Sequence, residues 1–217
     1  MQKKEISMDT NAIQADLEKC LTLVTPVSYS TDKELDYKTK FVYYAKDLND
    51  CLTKIEKFGV DKSYALTRWY NFMTSVAVKQ IFCEAGAVET DDKFNHDVDL
   101  YINKIPFTVK LTIFPMKAKD KTFDMKTRQG RNDLLRYYYS NNLKNGSTRL
   151  SNCIYVVCDA DTKEDAIKLK AKLDMIKAKV EAYMGYIKTH DINQVEFEDD
   201  KVKQTVYSDV IYISSKA

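Results

Sequence analysis

Two oppositely charged residues, Asp99 and Lys110, stand in neighbouring stretches of alternating apolar and polar residues. Such alternation predicts β-strands with one buried face, and residues 95–115 hold two of these patterns with a turn between them. Because side chains two positions apart point to the same face of a strand, we expect Asp99 and Lys110 to share the polar face of a hairpin. A carboxylate is an oxygen donor that hard divalent cations prefer, and it can equally form a cross-strand ion pair with a lysine. The sequence therefore leaves two interpretations, a reactive centre or a solvated pair within the sheet.

The residues of this hairpin resemble the core motif of the PD-(D/E)XK nuclease superfamily. That motif is an Asp followed, on the next strand, by an acid, any residue and a Lys. Here Thr108-Val109-Lys110 follows Asp99, so Thr108 stands at the acid position. The resemblance covers about residues 63–160, and it implies a restriction-endonuclease-like α/β fold, in which a mixed sheet is flanked by helices. It also implies metal-assisted phosphodiester hydrolysis, with Mg²⁺ held by acidic side chains and the Lys directing the attacking water.

Carried over by position, the resemblance makes Asp99 the metal ligand and Lys110 the catalytic lysine. Asp97 points the same way as Asp99 and can take its place, because the spacing allows either residue. Gln129 matches, by position, the polar residue that the helix after the hairpin often places near the site. The expected site is therefore Asp99 or Asp97 with Mg²⁺, Lys110 at the water and Gln129 nearby.

Two departures from the motif weaken this expected site. Thr108 offers a hydroxyl where the superfamily has a carboxylate, so the affinity for Mg²⁺ should be lower. The helix before the hairpin lacks the Glu that many members carry, and Glu84 or Glu89 are the acids that can replace it. The alternative is a catalytically inactive relative that serves as a binding or assembly module. A third interpretation is an unrelated α+β interaction domain.

Positive charge is concentrated after the hairpin, although the chain as a whole carries a net charge of only +2. Several tyrosines stand in the same region, and basic side chains with aromatic neighbours suit phosphates and bases. We therefore expect a local surface that binds nucleic acid, with DNA favoured; a solvated basic loop is the simpler alternative. The residues expected to contact nucleic acid are Lys117, Lys126, Arg128, Arg131, Arg136 and Arg149.

Composition restricts the class of protein. A chain of 217 residues that is 44% hydrophobic can bury a substantial core. We expect no membrane span, because no apolar run has the length of about 20 residues that a bilayer requires. Five cysteines without a CxxC pair indicate free thiols, so neither disulfides nor a zinc site is expected. These features favour a cytoplasmic protein, and they leave a homodimer open.

The chain is expected to consist of a helical N-terminal extension, residues 1–60, and an α/β core, residues 61–217. In the extension, Asp9 caps a first helix and a long amphipathic helix runs from Tyr37 to a stop near Gly59. The core begins with a buried helix at 63–85. The remaining predicted elements are the hairpin, a helix through residues 134–143, a central strand at Cys153–Asp159, one helix over 166–183, and strands at 195–197 and 205–214.

Overall fold

The computed structural model describes residues 9–26, 32–90, 98–115, 123–144, 150–199 and 202–215. Within these segments the chain forms seven α-helices and six β-strands. The helices are α1 (Thr10–Leu23), α2 (Lys33–Lys38), α3 (Leu48–Phe58), α4 (Lys62–Glu84), α5 (Arg128–Lys144), α6 (Lys163–Leu169) and α7 (Leu173–Tyr186). The strands are β1 (Val88–Glu89), β2 (Leu100–Ile102), β3 (Ile105–Ile113), β4 (Cys153–Asp159), β5 (Gln194–Asp199) and β6 (Val202–Ser214).

The strands form one mixed sheet in the order β1-β2-β3-β4-β6-β5. The first three strands are antiparallel neighbours, β4 runs parallel to both β3 and β6, and β5 is antiparallel to β6. Every residue of β4 is buried, as expected for a central strand that is covered on both faces. The predicted central strand and the predicted α/β class, a mixed sheet flanked by helices, are therefore confirmed.

The predicted hairpin is formed by β2 and β3, with Leu100 opposite Phe107. Its turn consists of Asn103 and Lys104, whose φ angles are 50° and 67°. Positive φ at both central residues is the geometry of the two-residue turns that match the twist of a hairpin. The turn fixes the pairing of the two strands and so determines which β3 residues face each side of the sheet.

Alternation along β4 separates two hydrophobic cores. Phe107 and Val109 face the larger core, which also contains Trp69 of α4. Residues of α1 and α3 belong to this same core, so the N-terminal helices pack with the sheet-bearing part of the chain. The smaller core lies under α5 and includes Leu134 and Tyr155.

Helix α4 is the most buried helix described, as predicted. Asp61 caps it, because its side chain accepts a hydrogen bond of 2.6 Å from the backbone N–H of Tyr64. The helix ends at Glu84, and after its C-cap, Ala85, comes Gly86, which has a φ of 107° that few other residues adopt. This capped, buried helix carries Lys79 to the hairpin. Within the described part of the chain, no helix is both long and apolar enough to cross a bilayer.

The prediction of one long helix from Tyr37 to Gly59 is wrong. Helix α2 ends at Lys38, a 3-10 turn follows over Lys40–Tyr43, and α3 begins only at Leu48. The break arises because the Asp47 side chain accepts a hydrogen bond from the backbone N–H of Asp50 and so caps a new helix. Tyr37, expected on a buried face, is 72% exposed. The predicted stop at Gly59 is confirmed, since it holds the left-handed conformation that closes α3.

The prediction of a single helix over 166–183 is also wrong, because α6 ends at Leu169 and α7 begins at Leu173. The hydroxyl of Tyr70, in α4, donates a hydrogen bond of 2.7 Å to the backbone oxygen of Ile167. In a continuous helix that oxygen would accept from the N–H of Ala171, which instead donates to Lys168. At the break the Ile167 oxygen therefore accepts from the Tyr70 hydroxyl and from the N–H of Lys170 instead of from Ala171. The two predicted C-terminal strands are confirmed as β5 and β6, and β1 was not predicted.

Candidate functional site

The carboxylate of Asp99 is held by the hairpin and by α4. Asp99 lies immediately before β2, where its backbone N–H donates to the oxygen of Phe107 at 2.8 Å. One carboxylate oxygen accepts a hydrogen bond of 2.8 Å from the N–H of Val109, and the other forms an ion pair with the ammonium of Lys79. The Asp99 side chain is 19% exposed. Both oxygens of the carboxylate are therefore engaged within the protein.

Lys110 and Thr108 lie beside β4. They are opposite Tyr155 and Cys153, respectively, in the parallel pairing of β3 with β4. The Thr108 hydroxyl donates to the backbone oxygen of Asn152 at 3.2 Å. The ammonium of Lys110 lies 5.8 Å from the centre of the Tyr155 ring, which is a distance at which a cation is attracted to an aromatic face.

Asp99, Thr108 and Lys110 all lie close enough to the buried thiol of Cys153 to affect its pKa. Burial raises the pKa of Cys153 to about 11, and the negative charge of Asp99 adds to the rise. A hydrogen bond with Thr108 and the positive charge of Lys110 act in the opposite direction. The three hairpin residues of the predicted site therefore share one neighbourhood. In the described segments, however, Asp99 forms its ion pair with Lys79 rather than with Lys110.

The residues of this neighbourhood do not fit a Mg²⁺ ion as they are arranged. Mg²⁺ requires several oxygen donors, and here the Asp99 carboxylate already binds an ammonium. Glu84 is committed elsewhere, because it accepts hydrogen bonds from Lys177 and Gln80 that hold its pKa below the usual range. Among the described residues no group of three or more His, Cys, Asp or Glu side chains can hold a metal ion. Asp97, the other predicted ligand, lies outside the described residues.

The polar side chains predicted on the helix after the hairpin lie at the start of α5. Thr127 caps this helix, since its hydroxyl accepts from the N–H of Gly130 at 3.1 Å. Gln129 is exposed, and its amide donates to Asp133 on the same helix at 2.8 Å. Arg136 forms an ion pair of 3.2 Å with that same Asp133. In the described contacts neither Gln129 nor Arg136 is joined to the hairpin.

Arg128 and Arg131 line a surface pocket of about 420 Å³. Arg128 donates to the side-chain oxygen of Asn193 at 2.8 Å, and Arg131 donates to the backbone oxygen of Met125 at 3.1 Å. Within the described segments neither guanidinium forms an ion pair with a carboxylate. The pocket is called here the arginine pocket, and its lining residues are Arg128, Arg131, Tyr186, His190, Asp191, Ile192, Asn193, Gln194 and Asp209.

The lining of the arginine pocket also includes aromatic and acidic groups. The rings of Tyr186 and His190 stack with centroids 4.0 Å apart and an interplanar angle of 10°. Burial raises the pKa of Asp209, whereas the charges of Arg131 and Arg128 act to lower it. Because burial is the larger of these effects, the arginines only partly compensate the Asp209 charge.

The remaining predicted basic residues fall into two groups. Lys126 is exposed just before α5. Lys117 and Arg149 lie outside the described residues. The structure thus groups Arg128 and Arg131 in one pocket, and this pocket contains neither Asp99 nor Lys110.

Sequence reasoning missed Lys79 and the partners of the two arginines. Lys79 lies within a helix whose apolar pattern indicates only burial, and nothing in its spacing points to Asp99. Asn193 lies immediately before β5 and Asp209 lies within β6, both far along the chain from α5. His190 gave no signal as an isolated histidine; its significance comes from the stack on Tyr186.

Comparisons of this chain with protein-family models, with curated proteins and with solved structures found no match.

Proposed function

We propose that this protein binds nucleic acid, with DNA favoured, through a nuclease-like α/β core that does not cleave it. In this proposal the phosphates contact the arginine pocket at the start of α5. The hairpin centre, Asp99 with Lys79, serves to hold the fold together. This is the inactive binding module that the resemblance to PD-(D/E)XK nucleases left open.

The order and direction of the elements support a nuclease-like core. Helix α4, the β2–β3 hairpin, helix α5 and the buried strand β4 follow one another as in the superfamily that the hairpin resembles. β4 is parallel to β3, and helices cover both faces of the mixed sheet. In this proposal Asp99 and Lys110 correspond to the Asp and the Lys of the motif.

The ion pair between Lys79 and Asp99 is the main observation behind the proposal that this core does not cleave nucleic acid. An ammonium ion lies against the carboxylate that would have to hold Mg²⁺, and Val109 occupies its second oxygen. A dication would have to displace Lys79, and Thr108 supplies no carboxylate to compensate for that loss. Metal-assisted hydrolysis by Asp99 and Lys110 is the competing proposal, and it requires this ion pair to open.

The arginine pocket supports phosphate binding. Arg128 and Arg131 make hydrogen bonds to neutral oxygens, so their charges remain available to a ligand. Both residues lie in the first turn of a 17-residue helix, whose dipole favours an anion at that end. Planar guanidinium groups suit phosphate oxygens particularly well.

Salt dependence of binding tests the proposal. We expect the affinity for a labelled DNA duplex, measured by fluorescence anisotropy, to fall steeply with salt concentration. Replacing Arg128 and Arg131 together by Ala should flatten the log–log slope by up to about 1.8 units, since each phosphate contact contributes about 0.9. Arg136→Ala is the matched control, because Asp133 already neutralises this arginine on the same helix. An unchanged slope in the double variant would overturn the assignment of phosphates to this pocket.

A cleavage assay separates the two proposals for the hairpin. Wild-type protein incubated with duplex and single-stranded DNA and RNA, in Mg²⁺ or Mn²⁺, should leave every substrate intact. Cleavage that disappears in both Asp99→Ala and Lys110→Ala would establish the nuclease and overturn the inactive interpretation. Binding to the arginine pocket is measured independently of this outcome.

A further inference from the structure

A group of exposed aromatic side chains lies between residues 37 and 58, apart from the residues considered above. Tyr37 is 72% exposed, Tyr44 is 79% exposed and Phe58 is 54% exposed. Scattered exposed apolar residues are normal, whereas exposed rings grouped on one surface often mark a binding site. Tyr37 and Tyr44 were predicted to lie on the apolar face of one long helix, which in the structure is interrupted after Lys38.

Tyr37 and Phe58 line one shallow pocket of about 520 Å³, here called the aromatic–lysine pocket. Its other lining residues are Lys38, Lys40 and Val60. The described lining thus contains two aromatic rings and two ammonium groups, and it contains no carboxylate. Glu34, which pairs with Lys38 at 2.6 Å, is not part of the lining.

The rings of this pocket are positioned by the fold. Phe58 stacks on Phe41 with ring centroids 5.4 Å apart, and Phe41 packs against the larger hydrophobic core. The ammonium of Lys40 lies 4.8 Å from the centre of the Tyr37 ring. One ring is therefore anchored to the core, while the other is held near a positive charge at the surface.

We infer that the aromatic–lysine pocket binds single-stranded nucleic acid, with bases stacked on Tyr37 and Phe58 and a backbone phosphate at Lys40, since Lys38 is already paired with Glu34. Rings interleaved with positive charges are the combination by which proteins hold single strands without reading their sequence. The lysines favour a polyanion over an uncharged apolar partner. A duplex hides the faces of its bases, so this pocket should discriminate in favour of single strands.

The inference goes beyond the proposed function, because it concerns a second surface and a different form of nucleic acid. Its test is fluorescence anisotropy with a labelled single-stranded oligonucleotide and with a fully abasic oligonucleotide of the same length. Tyr37→Ala and Phe58→Ala should each weaken binding of the normal strand by about 5-fold to 150-fold, the usual contribution of one stacked base. Tyr44→Ala is the matched control, because Tyr44 is at least as exposed but does not line the pocket.

The abasic strand identifies the source of the lost affinity. It should bind wild type more weakly than the normal strand binds Tyr37→Ala, because it also loses the stack on Phe58, and Tyr37→Ala should not weaken it further. Equal losses on normal and abasic strands, or no loss on either, would overturn the stacking role. Sedimentation velocity tests whether a second copy of the chain covers this surface instead. A wild-type dimer that Tyr37→Ala dissociates would show that it does, and would also overturn the inference.

The proposals for the two surfaces can be contradicted independently of each other. Loss of single-strand binding in Tyr37→Ala, together with an unchanged salt slope in the Arg128 and Arg131 double variant, would keep this inference and remove the arginine pocket. The reverse result would keep the arginine pocket and remove this inference. Phe58→Ala also removes packing on Phe41, so Tyr37→Ala, which changes an exposed ring, decides the matter if Phe58→Ala fails to fold.

Discussion

The hairpin centre and the arginine pocket differ in whether their charged side chains form ion pairs within the protein. At the hairpin, the ammonium of Lys79 and the N–H of Val109 occupy both oxygens of Asp99. In the arginine pocket, Arg128 and Arg131 are held only by neutral oxygens. A charge neutralised inside the fold contributes to stability and orientation, whereas a charge left without an ionic partner remains available to a ligand. Our proposal that the pocket, rather than the motif, binds phosphates rests on this difference.

The largest expected effect comes from Gly130, which lies between the two arginines in α5. A Cβ at this position would lie 2.1 Å from the backbone oxygen of Asp124, so Gly130→Ala must displace the segment before α5. We expect the free energy of unfolding, from urea titration, to fall by about 1–3 kcal/mol, with weaker DNA binding as the arginines move.

Gly185→Ala is the matched control for this change. Nothing lies within 4 Å of a Cβ at Gly185, which is also in a helix, so alanine should stabilise the protein by up to about 1 kcal/mol. If Gly130→Ala unfolds like wild type and binds DNA normally, the close approach of the chain does not position the arginine pocket.

A smaller effect should follow from opening the hairpin centre. The double variant Lys79→Met, Thr108→Glu removes the ammonium from Asp99 and adds a carboxylate on the adjacent strand. It should bind Mn²⁺ at least about tenfold more tightly than wild type, because carboxylate oxygens are the preferred donors of hard cations. Isothermal titration measures the affinity, and Mn²⁺ should raise the melting temperature of this variant alone.

Thr108→Glu by itself should gain little, since Lys79 still neutralises Asp99. Lys177→Met combined with Thr108→Glu is the matched control, because Lys177 also connects two elements through an ion pair, with Glu84. Tight Mn²⁺ binding by wild type or by Thr108→Glu alone would show that the ion pair is not a barrier, and the contrast between the two regions would disappear.

The smallest expected effect concerns Asp209 in the arginine pocket. Burial raises its pKa above the unfolded value, so folding disfavours the ionised form. The resulting stability is fully present below the ordinary Asp pKa of about 4 and is lost as the pH rises through the folded pKa. Asp209→Asn should therefore be more stable than wild type at pH 7, by less than about 1 kcal/mol, and equal to it near pH 3.

Thermal melts of both proteins across this pH range measure the difference, with Asp191→Asn, on an exposed part of the same pocket, as the control. A loss of stability in Asp209→Asn at pH 7 would mean that Asp209 neutralises the arginines. The pocket would then resemble the hairpin centre, and its availability to phosphates would be contradicted.

Local patterns in the sequence were sufficient for much of the fold. The alternation around Asp99 and Lys110 predicted the hairpin, and the continuous apolar run from Cys153 predicted the central strand, because each depends on residues within one element. The helix break after Leu169 was not predictable in this way. It depends on the Tyr70 hydroxyl, which lies 97 residues before its acceptor, Ile167.

The candidate sites show the same division between local and tertiary information. Arg128 and Arg131 were predicted from the clustering of basic residues in this part of the chain. Lys79 and Asp209 were missed, since only the packing of α4 against the hairpin and of α5 near β6 gives them partners. Sequence patterns located the charged groups, but their neutralisation depends on residues distant in the chain.

The position of β4 has a consequence for the rate of folding. This strand must pair with β3 and β6 on either side, and its contacts span long stretches of chain: Thr108 to Asn152 is 44 residues and Cys153 to Ser208 is 55 residues. Such distant pairings form slowly, because chain entropy is lost before the contacts are gained. Until both neighbours arrive, the apolar segment Ile154-Tyr155-Val156-Val157 is left uncovered, and a partly folded chain can associate with another through that open edge.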